Sequence, residues 1–476
     1  MPGKTRLYDA IVVGSGPNGL AAAITIARTG RSILVIEARD TIGGGTRTAE
    51  LNLPGFRHDI CSAVHPLGLG SPFFQSLPLA QFGLEWIFPP AALAHPLDDG
   101  TAAVLYRSVE ETARTLGPDG AAYTRLLGPL AADWSKLAPA LLGPLSIPRH
   151  PLALARFSMH AWRSAQGLAR SRFKHATARA FFGGMSAHSI LPLEKSPSAA
   201  FGLVLASLGH AVGWPIPRGG SQQIAEALAA YLRSLGGEII TGQTVESVDD
   251  LPPARTVLLD ITPRQVLKVA RHHLSTGYQR GLERFRYGPG IFKIDYALSG
   301  PVPWAAPGCA EAGTLHLCGT LEEVVEAERA ATQGRLTEKP FVLVTQPSRF
   351  DPTRAPAGQH TLWAYCHVPN GSTHDMSEAI TAQIERFAPG FRQLILARST
   401  MNTAEVERYN PNYIGGDING GTQDWFQLFT RPMPRISPYS TSNPKLFICS
   451  SSTPPGGGVH GMCGFFAAKE ALKKLK

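Results

Sequence analysis

Close to its start the chain carries an unbroken apolar run. Ala10–Val13 carries no polar side chain, which fits a strand buried on both faces of a parallel sheet. Gly14-Ser15-Gly16-Pro17-Asn18-Gly19 interrupts the run, and the hydrophobic period then changes. From about Asn18 to Thr29, Leu20, Ile24 and Ala27 recur at helical spacing, and Gly30 supplies a stop. Ser32–Ile36 returns to strand patterning and ends at Glu37. Strand, glycine turn, helix and strand make one βαβ unit.

A second stretch of the same kind lies far away, at Pro215–Val248. Ser221 is predicted to cap a helix whose inner face carries Ile224, Leu228, Leu232 and Leu235. Gly236-Gly237 stop it, Glu238–Val248 is predicted as strand, and Thr256–Asp260 as a further strand. Phe292–Leu298, Phe341–Gln346 and His360–Val368 are also strand-like. The last two flank a Pro/Gly-rich loop and are expected to pair antiparallel. The region 121–189 is rich in Leu, Ala and Arg and reads as largely helical. The expected architecture is α/β. A Rossmann-like nucleotide domain is assembled from residues 1–75, 211–265 and 431–476. An α+β domain with a mixed or antiparallel sheet takes 76–210 and 266–430, with 120–190 as a helical lid or membrane-facing part.

The first turn carries the chemistry of a dinucleotide cradle. In G-x-G-x-x-G, Gly14 permits the tight turn, Gly16 lets backbone approach a pyrophosphate, and Gly19 allows close helix–strand packing. The following helix points its N-terminal amides and dipole at the same place. Glu37 stands 23 residues beyond Gly14, near the spacing of about 20 for an acid that binds a ribose hydroxyl. An acid there disfavours a 2′-phosphate. In a chain with 49 glycines the motif alone is weak; its strand–helix setting and the acid in register give it weight. Gly43-Gly44-Gly45 makes further room near the backbone, and Arg47 offers a forked donor for the pyrophosphate.

Composition removes other classes. At 476 residues with 43% apolar residues, the chain is long enough for two domains of ordinary globular character. Six cysteines without C-x-x-C spacing argue against a zinc site, a disulfide framework or a thiol redox pair, so no metal is expected and a reducing cytoplasm fits. The formal charge of +9 comes without clustered basic and aromatic motifs, so nucleic acid is not an expected partner. The nucleotide strand begins almost at once, which argues against a signal peptide, and there is no apolar run of about 18 residues to span a membrane. One stretch is unusual: no acid occurs between Asp133 and Glu194. There Arg156, Arg163, Arg170 and Lys174 recur opposite Leu154, Phe157, Ala161 and Leu168. This predicts a basic amphipathic helix, either on an anionic membrane or on a lid with a solvated face.

The motifs GSGPNGLAAA, IGGGTRT, GFRHDICSAVHPL, PRGGSQQIAEAL, NPNYIGGDINGG and PPGGGVHGMCGFFAA together resemble the phytoene desaturase (phytoene dehydrogenase-like) family of FAD-dependent oxidoreductases. The branch is the one similar to pyridine nucleotide-disulfide oxidoreductase domain-containing protein 2. The resemblance spans nearly the whole chain. It implies FAD, with Gly14, Gly16 and Gly19 at the pyrophosphate and Glu37 at the adenosine ribose. Gly44 and Arg47 would flank the phosphates and ribityl chain, and Val245 the adenine. Gly457, Gly458, Val459 and Met462 would line the flavin, below a helix that starts near Gly461. Where many relatives carry Gly-Asp before the C-terminal loop, this chain has Cys449-Ser450-Ser451, so Ser450 is the expected ribityl partner. No second G-x-G-x-x-G stands in a strand–helix setting, so a separate NAD(P)H domain is not expected.

The implied reaction is dehydrogenation or desaturation of an apolar, isoprenoid-like substrate, with oxygen or a quinone as acceptor. A redox-neutral flavin isomerase, an oxidase of a smaller ketone or amine, and a non-catalytic prenyl-binding protein are the alternatives. Asp417, His460 and His65 stand in motifs expected near the ring and are the candidate bases. The competing reading has Asp417 binding loop amides, His460 capping a turn and His65 sitting in the core.

Overall fold

The computed structural model describes residues 6–475. Two sheets organise them. The smaller is wholly parallel, with strands ordered Leu446–Ile448, Ala254–Leu259, Tyr8–Val13, Ile33–Ile36 and Glu238–Ile240. Strands from the start, middle and end of the chain thus meet in one Rossmann-like layer, with Tyr8–Val13 at its centre. Both faces are covered, as parallel sheets require. On one side the helix Pro17–Ala27 packs against the C-terminal helix Met462–Leu472 and against Gln222–Ser234. A Cβ on Gly464 would lie 1.8 Å from the carbonyl oxygen of Asn18, so the two helices can cross at this distance only over glycine. On the other side Val266, Val269, Tyr278 and Leu282 cover Val13, Val257 and Ile448.

The second sheet has seven strands, ordered Ile395–Met401, Gly290–Leu298, His360–Val368, Val342–Thr345, Ala312–Leu317, Ala91–Pro96 and Ala102–Tyr106. It is mixed: Ala312–Leu317 runs parallel to Ala91–Pro96, and its other pairs are antiparallel. Period-two alternation separates its faces. Phe292, Ile294 and Tyr296 join Ile380, Ile384 and Phe387 of the helix Ser377–Phe387 in one apolar core. Lys293, Asp295, Trp363 and Tyr365 therefore fall on the other face. Helices at Gly120–Ala132, Trp134–Leu141, Pro151–Ala161, Ala165–Arg172, Ala176–Ala187 and Ser198–Ala211 form the largely helical block expected there.

Three local expectations are corrected. The strand predicted over Glu238–Val248 ends at Ile240, because Gly242 turns the chain at φ +69° and the amides of Gly242 and Gln243 bond to the carbonyls of Arg39 and Glu37. Ser221 holds the N-cap position of Gln222–Ser234, but its hydroxyl does not cap the helix; it meets His65. The single basic helix does not exist. It breaks at Trp162, and Ser164 caps a new helix by accepting from the Gly167 amide. Its charges are dispersed as well: Arg156 pairs with Asp133 at 3.0 Å and Arg170 with Glu322 at 3.2 Å. Among the described residues no helix is long and apolar enough to cross a membrane.

Candidate active site

One cavity of about 620 Å³ runs between the two sheets. At one end it is walled by the first glycine turn. Gly14, Gly16 and Asn18 line it, with Glu37, Gly44, Arg47 and Val245 beside them. The turn is tightly made. Gly14 has φ +100°, and a Cβ on Gly19 would lie 2.2 Å from the Gly14 carbonyl oxygen. Gly19 therefore packs behind the wall and does not face the cavity.

Glu37 is the hub of this end. Its Oε2 accepts from the Ser15 amide at 2.9 Å and the Ser15 hydroxyl at 2.6 Å. Its Oε1 accepts from the Arg39 amide at 3.0 Å and from Arg47 at 3.1 Å. A carboxylate has about four acceptor positions, and here the chain itself fills them. A ribose hydroxyl reaches Glu37 only by displacing one donor, and the rotatable Ser15 hydroxyl is the cheapest to move. Arg47 is likewise committed: it donates to the carbonyls of Thr41 and Gly44 and to Glu37, and stacks over Tyr409 at 5.7 Å. Arg47 thus shapes the loop and holds Glu37, where the sequence suggested a direct pyrophosphate clamp.

Asp260 was not singled out from sequence. It directly follows the strand Ala254–Leu259, level with Gly14, and its Oδ2 accepts from the Gly19 amide at 2.8 Å. Burial, with Glu37 adding repulsion, pushes its carboxyl up to about 7. A polar residue at the carboxyl end of a parallel strand was the available signal.

The C-terminal loop forms another part of the wall. Ser450, Ser451, Gly458 and Val459 line the cavity, while Gly457 and Met462 lie behind it. A Cβ on Gly457 would meet the Asn419 carbonyl oxygen at 2.9 Å, and Met462 begins the last helix. The Ser450 hydroxyl accepts from the Ser452 amide at 3.3 Å. The Asn410–Tyr413 segment closes the cavity from the other side. A Cβ on Gly45 would come within 2.2 Å of the Tyr413 hydroxyl.

The three candidate bases separate. Asp417 accepts from the amides of Gly288, Asn419 and Gly421 at 2.8–2.9 Å and lies outside the cavity wall. His460 accepts from the Met462 amide at 3.0 Å through Nδ1 and faces the Gly456 carbonyl at 3.2 Å through Nε2. Burial pushes its imidazole down to about 4, so it is neutral, and it too lies behind the wall. Both side chains brace glycine loops, and neither lines the cavity. His65 does line the cavity. Its Nε2 is 2.8 Å from the Ser221 hydroxyl, and the Ser221 amide donates to Asp59. Burial pushes His65 down to about 4, with Asp59 opposing.

The far end of the cavity is lined by the seven-stranded sheet and the helical block. Leu205, Trp214, Leu343 and Tyr365 are apolar or aromatic; Thr314, Thr345 and His188 are the polar exceptions. No sequence motif marked these residues: Thr314, Leu343, Thr345 and Tyr365 sit in otherwise apolar strands, and Leu205, His188 and Trp214 come from the helical block and the loop after it.

Comparison with known proteins agrees with this anatomy. Residues 12–74 match the family model described as NAD(P)-binding Rossmann-like domain. Over 98% of this chain and 94% of the relative, the sequence is 26% identical to pyridine nucleotide-disulfide oxidoreductase domain-containing protein 2 of Mus musculus. It is 27% identical to the all-trans-zeta-carotene desaturase of Myxococcus xanthus over 94% of this chain and 90% of that one. It is also 25% identical to the phytoene dehydrogenase of Streptomyces griseus over 77% of this chain and 74% of that one. A solved oxidoreductase from Methanosarcina mazei shares the fold, with a TM-score of 0.65 at 16% identity over 98% of this chain and 99% of that one. The family match covers the strand, glycine turn and loop that wall one end of the cavity, while the relatives extend over both sheets.

Proposed function

We propose that this chain is an FAD-dependent oxidoreductase that dehydrogenates an apolar substrate, forming a C=C bond, with oxygen or a quinone as electron acceptor. The observation that carries this is the continuity of the cavity: a dinucleotide cradle and an aromatic, apolar chamber share one space. The homologous desaturases support the reaction class.

The residues fit the cofactor. Gly44 and Gly16 approach so closely that a Cβ on Gly44 would lie 3.1 Å from the Gly16 Cα, which keeps side chains out of the phosphate track. Gly14 and Gly16 would hold the pyrophosphate at a helix N-terminus, Glu37 the ribose, Val245 the adenine, and Ser450, Gly458 and Val459 the flavin end. When bound, FAD supplies the hydride acceptor. The chain supplies position and dryness. Leu205, Trp214, Leu343 and Trp363, which line the cavity, would exclude water around the scissile C–H bond. His65, held neutral and hydrogen-bonded to Ser221, is the one of the three candidate bases that lines the cavity, and it can accept a proton at Nδ1; its nearest partner there, the Ser62 hydroxyl, is 3.5 Å away. Anaerobic bleaching of the purified protein across a panel of polyenes, ketones and amines tests the reading. Reduction by at least one apolar substrate with a new C=C bond in the product is expected. Unbleached flavin with altered product geometry would move the assignment to an isomerase.

A further inference from the structure

Three polar atoms stand unpartnered in the apolar chamber. Thr314, Thr345 and Trp363 lie on three adjacent strands and are paired directly across the sheet, Thr314 with Thr345 and Thr345 with Trp363. They are 2%, 1% and 5% exposed, and all three line the cavity. Among the described residues, neither threonine hydroxyl nor the indole N–H has a hydrogen-bond partner. Buried donors without acceptors each cost about 1–3 kcal/mol, so a row of three is not a neutral feature of a core. Valine would fill either threonine position without that cost.

We propose that this row is a recognition site for a neutral carbonyl oxygen, so that the substrate is an apolar ketone, aldehyde or ester and not a bare hydrocarbon. The inference rests on the cavity being a substrate site, as argued above. The donor set selects the ligand. Two hydroxyls and one indole N–H can all donate, and the indole can only donate, which calls for an acceptor. The cations that line the cavity, Arg39, Arg47 and Lys268, belong to its nucleotide end; Lys293 stands over the Trp363 ring at 5.8 Å but is paired with Asp295 and does not line the cavity, so the row offers a carboxylate no free countercharge. The surrounding Leu205, Trp214 and Leu343 fit the apolar remainder of the molecule. A site built to hydrogen-bond an oxygen rejects the analogue that lacks it, because its own buried donors are then left unpaired.

The test uses pairs of apolar ketones and hydrocarbons with the same carbon skeleton, in a series of increasing chain length beginning with geranylacetone. Intrinsic tryptophan fluorescence reads binding, since Trp214 and Trp363 line the cavity, and it does not require flavin to be present. Wild-type protein is expected to bind the ketone of at least one pair about tenfold more tightly than its hydrocarbon, the effect of one or two net hydrogen bonds. In the Thr314→Val/Thr345→Val double variant the preference is expected to fall to about twofold or less, whereas Thr345→Ser keeps it. Equal affinities in wild type, binding of neither member of any pair, or a preference that survives the double variant would each overturn the proposal. A colourless protein that still prefers the ketone would contradict the flavin assignment and leave this one standing. A flavin-bound protein indifferent to the carbonyl would do the reverse.

Discussion

The Gly19 amide donates to the Asp260 carboxylate at 2.8 Å, so a side chain from a distant strand occupies part of the helix N-terminus to which a diphosphate is drawn. The carboxyl, raised to about 7 by burial and by Glu37, is ionised above that value and largely protonated below it. A diphosphate brought alongside adds negative charge and raises it further. Binding is therefore linked to proton uptake. FAD affinity of the wild type is expected to weaken several-fold between about pH 6 and about pH 8, and Asp260→Asn is expected to flatten that dependence. The stability sign agrees. A carboxyl raised from 3.8 in the unfolded chain destabilises the folded state increasingly as pH rises towards 7. Asp260→Asn should therefore raise the Tm more at about pH 8 than at about pH 5. Fluorescence titration of FAD and thermal melts at both pH values check the two statements; equal pH slopes for variant and wild type would refute the linkage.

The filled coordination of Glu37 makes an unusual prediction for Ser15. Removing the hydroxyl frees one position on Oε2 without touching Arg39 or Arg47. Ser15→Ala is expected to bind FAD a few-fold more tightly. Arg47→Ala strips a buried charge partner from Glu37 and three bonds from the Thr41–Gly44 loop. It should cost about 3–5 kcal/mol of stability and most of the bound cofactor. Urea unfolding with and without FAD measures both. A Ser15→Ala variant that binds FAD more weakly would mean that the hydroxyl itself contacts the cofactor.

The unpartnered hydroxyls of Thr314 and Thr345 predict a gain in stability on their removal. Each Thr→Val substitution is expected to stabilise the substrate-free protein by about 1 kcal/mol, since a buried unsatisfied group is replaced by a methyl of the same shape. Chemical denaturation reads this directly. Destabilisation by either substitution would show that the hydroxyls are satisfied in solution.

Much of the nucleotide end was legible in the sequence because its physics is local. A strand, a glycine turn and an acid in register specify one another over a short span, and Gly14, Gly16 and Glu37 all line the expected cavity. The limits were equally physical. Arg47 carries the right donors for a pyrophosphate, but the carbonyls competing for them became visible only in the folded loop. His460 and Asp417 sit in glycine-rich motifs whose own amides and carbonyls need partners, and those needs absorb both side chains. Asp260 and the Thr314–Thr345–Trp363 row are long-range creations of sheet pairing, so no linear spacing announces them. The arginine repeat misled for the opposite reason: its period of seven fits one helix, but the chain breaks at Trp162.

The break leaves an apolar surface in place of a basic helix. The rings of Trp162 and Trp425 meet at 4.4 Å, and Leu152, Met159 and Phe426 are 84%, 67% and 62% exposed. Arg149 and Arg163 lie in the same acid-free stretch, while Arg156 is paired with Asp133. Co-sedimentation with anionic vesicles is expected for the wild type and should be lost in Met159→Asp/Phe426→Asp with cofactor content unchanged. Wild-type protein that stays in the supernatant at low salt would exclude a peripheral membrane contact.

On the function proposed above, the cradle and the apolar chamber serve one bound flavin. The visible spectrum of the purified protein, taken before and after incubation with FAD and gel filtration, tests it most directly. The two bands of oxidised flavin are expected at one flavin per chain, released on denaturation as FAD and not as the mononucleotide. A folded, colourless protein that takes up no FAD would contradict it.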